Sequence, residues 1–192
     1  MAKRLTIVGC GALGSHLVQF LRNEDAEIHV IDFDRVEQKN TQSQFHSIGQ
    51  VRKLKVEALK QTMGFLYKRE IKTNSNKLVA NNVHALLAAS DLIIDCLDNG
   101  EARRLVQDYS RAHAVACVHG ALAPGGEFGR VTWDEHFVID DEAGAGVATC
   151  EDGAHLPFIT LTAAYLARVV QVYLKSNRKV GYQVTPVGAV AV

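Results

Sequence analysis

The sequence has no surplus of charge of either sign: 21 Lys and Arg balance 21 Asp and Glu over 192 residues. No global field therefore draws the protein to nucleic acid or to an anionic membrane. Paired cysteines are also missing. Cys10, Cys96, Cys117 and Cys150 stand far apart with no CxxC spacing, which suits neither a disulfide framework nor a tetrahedral zinc site; thiols and no structural metal are expected. A long uninterrupted apolar run is absent as well. Residues 5–8 are too few for the apolar part of a signal peptide and lead directly into glycines, and the apolar stretch 158–174 is broken by Thr160, Thr162, Arg168 and Gln171. The expectation is a soluble cytoplasmic protein with no membrane partner. No internal repeat or low-complexity segment is found, and 192 residues at 47% hydrophobic content suffice for one domain, residues 1–192, to bury a full core.

What is present is an alternation of strand and helix patterns. Residues 4–9 read as a buried parallel strand, and 12–22 place Leu13, Leu17, Val18 and Leu21 at helical spacing. Residues 27–32 give a second strand, completing a βαβ unit. A polar, aperiodic loop at 33–50 precedes a helix at 51–63; its length marks it as functional. Strands at 67–73, 91–96 and 114–119 alternate with helices at 81–89 and 101–112, which predicts a Rossmann-like α/β fold, a mostly parallel sheet with helices on both faces. Four glycines between Gly120 and Trp133 signal a bend, 140–155 reads as a polar, glycine-rich loop, 156–175 as a helix, and 181–192 as a closing strand.

The first strand ends in Gly9-Cys10-Gly11-Ala12-Leu13-Gly14. In such a turn Gly9 permits the tight bend, Gly11 lets the backbone approach a phosphate, and Gly14 lets helix and strand pack closely. Asp32 ends the second strand, the place of an acid that binds a ribose hydroxyl. These residues alone denote an adenine nucleotide, with NAD the default.

The run Asp32-Phe33-Asp34-Arg35-Val36, then Asn40, Gln44 and Lys55, together with Asp95-Cys96-Leu97-Asp98-Asn99 and Arg103, resembles the ThiF/MoeB/HesA superfamily, which includes the ubiquitin-activating enzymes. The resemblance covers residues 4–130 in motifs and the remainder in element order. It implies a single ATP-binding adenylation domain that activates the C-terminal carboxylate of a ubiquitin-like or sulfur-carrier protein ending in Gly-Gly, with ATP and Mg²⁺ as cofactors and a homodimer as the assembly. In-line attack of a carboxylate on the α-phosphate needs cations to neutralise charge on the leaving pyrophosphate. The resemblance assigns Asp98 to Mg²⁺, for which a hard oxygen ligand past a strand's C-terminal end is suited. It also assigns Lys55 to the phosphates, Asp32 and Asp34 to the nucleotide, and Asn40 and Gln44 to uncharged hydrogen bonds along the triphosphate.

Considered singly, Lys55 is an exposed lysine among Arg52, Lys53, Glu57 and Lys60, Asn99 with Asp98 is a helix cap, and Arg103 is a helix-surface residue. Ser43 stands where the family carries an arginine, and the arginine-bearing segment before the first strand is missing; Lys53, Arg35 and Arg130 are the candidate substitutes, across a dimer interface if need be. Cys150 lies ahead of the helix at 156, as does the acyl-accepting cysteine of related enzymes, while the adjoining Glu151 and Asp152 disfavour a thiolate. His119 and His155 are expected to satisfy local hydrogen bonds. Other readings are ATP-dependent activation of a small-molecule or tRNA carboxylate, as in the dehydratase branch of the superfamily, an NAD-dependent oxidoreductase, and a catalytically silent scaffold.

Overall fold

The structure is a computed structural model that describes residues 2–139, 149–150 and 153–192. Strand β1 (Lys3–Val8) lies inside the sheet, flanked in parallel by β2 (Ala26–Ile31) and β4 (Leu92–Asp95), with Leu5 opposite both Ile28 and Leu92. Strand β3 (Lys72–Asn74) extends the sheet beyond β2, and β5 (Ala116–Leu122) extends it beyond β4. Strands β6 (Gly129–Trp133), β7 (Tyr182–Thr185) and β8 (Gly188–Ala191) follow antiparallel, giving the order β3-β2-β1-β4-β5-β6-β7-β8. The Rossmann-like, mostly parallel sheet is thus as predicted, with the antiparallel strands confined to one end.

Alternation along the strands produces two apolar faces. Leu5, Ile7, Ile28, Val30, Leu92, Ile94 and Val118 pack under α1 (Ala12–Phe20), α2 (Lys55–Tyr67) and α5 (Leu156–Ser176). Val8, Ile31, Ile93 and Cys117 face the opposite way, against Leu87 of α3 (Val83–Leu87) and Val106 and Tyr109 of α4 (Gly100–His113). Each such fully buried Leu, Ile or Val contributes about 1.5–3 kcal/mol by leaving water. Helix α5 is long and apolar enough, by length and composition, to cross a membrane. Here it packs on α1 and on β5, β6 and β7 with Leu166, Val169 and Val170 fully buried, as a core helix does.

Three sequence expectations are corrected. The helix expected at 51–63 begins only at Lys55, because residues 52–55 first pair with the chain before them: Arg52 donates its N–H to Val36, Val36 to Lys53, and Lys55 to Asp34, each at 2.8 Å. The same helix runs on to Tyr67, into the strand expected at 67–73, and stops where Lys68 takes φ +53°; only Lys72–Asn74 pairs with β2. The closing strand expected at 181–192 is a hairpin, since Pro186 and Val187 form a two-residue turn between Thr185 and Gly188. Most of the loop expected at 140–155 lies outside the described residues.

Candidate functional site

The chain runs outward from β1 to β2 and β3, then crosses back to place β4 on the other side of β1. That reversal opens a crevice at the C-terminal ends of β1 and β4, where open α/β sheets bind ligands. Both loops carrying the expected residues meet there. Gly9 holds φ +91°, and a Cβ on it would lie 2.8 Å from the Cys96 carbonyl oxygen; the turn after β1 is thus pressed against the turn after β4, two residues from Asp98. A Cβ on Gly14 would lie 1.9 Å from the Gly9 carbonyl oxygen, so no other residue lets α1 start so close to its strand. Gly11 is different. Among the described residues it has open space, with only the Gln44 Nε2 as near as 3.9 Å, and no side chain caps the first turn of α1.

On the β2 side Asp32 accepts from the Cys10 N–H at 2.7 Å and from the Asp34 N–H at 2.8 Å, so its carboxylate joins the glycine turn to its own loop. Lys55 is not the exposed lysine its neighbours suggested: it is buried, with Nζ 3.0 Å from the half-exposed Asp34 carboxylate. Burial pulls its pKa down, but Asp32 and Asp34 outweigh this and raise it, so Lys55 is held as a cation. Burial first, then Asp32, pushes the Cys10 thiol well up, making it inert packing. Asn40 is buried and uses Oδ1 to accept the Glu37 N–H at 2.8 Å, tying the start of the 3₁₀ turn Lys39–Gln42 to the residues before it. Gln44 is buried with Oε1 unpartnered among the described residues, and His46 likewise with Nδ1, while its Nε2 lies 3.2 Å from the Cys10 carbonyl. Burial lowers the pKa of His46 to about 4, leaving it neutral.

On the β4 side Asp98 is exposed and Asn99 caps α4, accepting the Ala102 N–H at 2.8 Å, so a cap and an accessible carboxylate occur together. Arg103 is buried and faces inward, donating to Asp95 at 2.9 Å, to the Gly120 carbonyl at 2.9 Å and to the Leu97 carbonyl. His119 lies between Asp95 and Asp134. Sequence spacing gave no sign of this network; the register did, because His119 ends up opposite Asp95 on neighbouring strands.

Of the candidate substitutes for the arginine, Lys53 bonds to Gln61 and Arg35 to the Arg52 carbonyl. Arg130 lies on β6 opposite Ala121, remote from the glycine turn by three strand positions. Ser43, in the arginine's place, is buried and donates Oγ to the Cys150 carbonyl at 2.5 Å, which ties half-buried Cys150 to the loop bearing Gln44. An open groove of about 460 Å³ lies elsewhere, between α4 and residues 135–139, with Arg104 and Arg111 offset by Asp108 and Glu135; no expected site residue lines it.

A glycine turn at the switch point of a parallel sheet, flanked by acids and a buried lysine, defines a doubly wound α/β domain of the nucleotide-binding class. Within that class the chain belongs to the ThiF family, which it matches over residues 1–156. It is 32% identical to the SAMP-activating enzyme E1 of Haloferax volcanii over 125 residues, 64% of this chain and 46% of that protein. With the molybdopterin-synthase adenylyltransferase of Escherichia coli it shares 33% over 121 residues, 62% of this chain and 49% of the relative. The chain thus spans less than half the length of these relatives. In fold it resembles E. coli MccB, at a TM-score of 0.80 and 14% identity over 99% of this chain and 63% of that one. The E. coli tRNA N6-threonylcarbamoyladenosine dehydratase TcdA, solved in complex with AMP, gives 0.67 and 16% over 92% and 88%.

Proposed function

We propose that the chain adenylates the C-terminal carboxylate of a ubiquitin-like or sulfur-carrier protein ending in Gly-Gly, using ATP. The observation that carries this reading is the meeting of two loops at the switch point, the glycine turn with Asp32, Asp34 and Lys55 on one side and the exposed Asp98 on the other. The likeness to a SAMP-activating enzyme and to a molybdopterin-synthase adenylyltransferase favours a protein carboxylate over a hydride acceptor.

The residues fit the nucleotide. Among the described residues the first-turn amides of α1 have no side-chain cap and Gln44 Oε1, a buried acceptor that a bound hydroxyl or water would satisfy, has no partner, while Gly11 leaves room for a phosphate. Asp98 would hold Mg²⁺, which commonly takes one or two carboxylates and completes its shell with phosphate and water, and which would draw charge from the phosphates. Lys55 supplies a fixed cation beside them. A carboxylate oxygen of the carrier attacks the α-phosphorus, the bond to the bridging oxygen breaks, and pyrophosphate leaves with that electron pair. In a second step the Cys150 sulfur, as thiolate, attacks the acyl carbon and releases AMP. A second copy of the chain supplies the cation that Ser43 does not.

Intact-mass spectrometry of a Gly-Gly carrier incubated with the chain and MgATP is expected to show added AMP, and with Cys150 present a chain–carrier thioester sensitive to thiols. A carrier left unmodified while a tRNA or a small carboxylate is activated would replace this reading with the dehydratase-type one.

A further inference from the structure

Asp95 is fully buried at the end of β4, three residues before Asp98. Its Oδ1 accepts the Leu97 N–H at 2.8 Å, so the orientation of this carboxylate sets the first bend of the turn that delivers Asp98. Its Oδ2 is held by Arg103 at 2.9 Å and by His119 Nδ1 at 2.7 Å. The other ring nitrogen of His119 lies 3.0 Å from Asp134 Oδ1, a carboxylate itself fixed by Gln107 at 2.8 Å and Arg111 at 2.7 Å. The imidazole is stacked on Phe137 with centroids 4.1 Å apart, so it cannot swing away.

We propose that His119 is a positioning residue: bonded through both ring nitrogens, it locks Asp95 against Asp134 and so fixes the β4–α4 turn that presents Asp98 to the nucleotide. The proposal rests on the reading of Asp98 given above. A neutral imidazole has one N–H and would set a bare nitrogen against one of the two carboxylates, a clash of acceptors that the imidazolium avoids. Burial pulls the pKa of His119 down, but the bonds to Asp134 and Asp95 overcome it and raise it to about 11. The other charged or titratable groups around it are Arg103, Arg111 and Cys117, whose Sγ is 3.6 Å away. Groups standing behind a metal-binding carboxylate, without touching the metal, commonly change affinity or activity by about 10–100-fold when removed.

The test uses His119→Ala, with Asp134→Ala and Asp134→Asn as milder variants that act through the same ring. Amide hydrogen exchange should speed selectively at Leu97, Asp98 and Asn99, while AMP affinity, set by the Gly9–Gly14 turn and Asp32, stays within about threefold. In ATP–pyrophosphate exchange kcat should fall by about 10–100-fold with KM for ATP nearly unchanged, and Asp134→Asn, which keeps an acceptor for the ring, should recover part of the loss seen in Asp134→Ala. Unchanged amide exchange at the turn, or a rise shared by the whole sheet with AMP affinity lost in step, overturns the proposal. Should His119→Ala not fold, the ¹⁵N spectrum of wild-type His119 between pH 6 and 9 decides: two protonated nitrogens support it and a neutral tautomer overturns it. The amide-exchange, AMP and ¹⁵N readouts need no carrier protein, so failure to find a carrier substrate is distinguishable from failure of this inference.

Discussion

At the scale of single residues, Gly14 and Lys55 show how differently two neighbours of one site are constrained. The added carbon of Gly14→Ala would fall 1.9 Å from a backbone oxygen that cannot retreat without moving β1. The substitution should therefore cost about 3 kcal/mol or more, as other buried clashes do, measured as a lowered urea midpoint. Lys55→Ala should leave the fold intact, because Asp34 is half exposed and can be solvated. Its effect should be on the nucleotide: ATP affinity down by about tenfold or more, the change of removing a charged hydrogen-bonding partner, with AMP affinity affected less. Equal losses for ATP and AMP would place Lys55 away from the outer phosphates. The glycines and Asp32 were legible because each answers a local demand of a strand–turn–helix unit. The pairing of Lys55 with Asp34 was not, since 21 residues separate them and only the clamp at residues 52–55 brings them together.

At the scale of elements, what the sequence disclosed depended on how local the cause was. The unit β1–α1–β2 and helices α4 and α5 follow from apolar spacing and fall within a few residues of expectation. Helix α2 starts four residues late because a backbone pairing outside the helix competes for its first turn, a cause with no signature in periodicity. Asp95, His119, Asp134 and Arg103 come from two strands, a turn and a helix, and only the register of β4 with β5 unites them. Asn99 at the start of α4 belongs to this scale. Asn99→Ala removes the acceptor for the Ala102 N–H and should cost about 1 kcal/mol. Thermal unfolding should show the drop, and Asn99→Ser should restore most of it. No drop would mean that the cap is replaced by water and that the turn after β4 is held by Arg103 and His119 alone.

At the scale of the whole molecule, buried histidines oppose one another in the dependence of stability on pH: burial lowers His16 and His46, whereas carboxylates raise His119. His46, whose pKa burial lowers from its ordinary 6.5 to about 4, contributes stability that is present above pH 6.5 and is lost as pH falls from there toward 4. His119, raised from 6.5 to about 11, contributes stability that is full below pH 6.5 and is lost as pH rises through about 11. The melting temperature should accordingly peak near pH 6.5, and His119→Gln should flatten the alkaline limb while leaving the acidic one; an unchanged alkaline limb would contradict the charge assigned to His119. The same molecule has a doubly wound sheet whose switch point gathers the glycine turn, Asp32, Asp34 and Lys55 opposite Asp98. The direct measurement of what that gathering does is ATP–pyrophosphate exchange by the purified chain, with and without proteins ending in Gly-Gly, for wild type and Asp98→Ala. The account predicts exchange that requires one such carrier and is abolished in Asp98→Ala. Exchange that needs no carrier, or that survives the loss of Asp98, would contradict it.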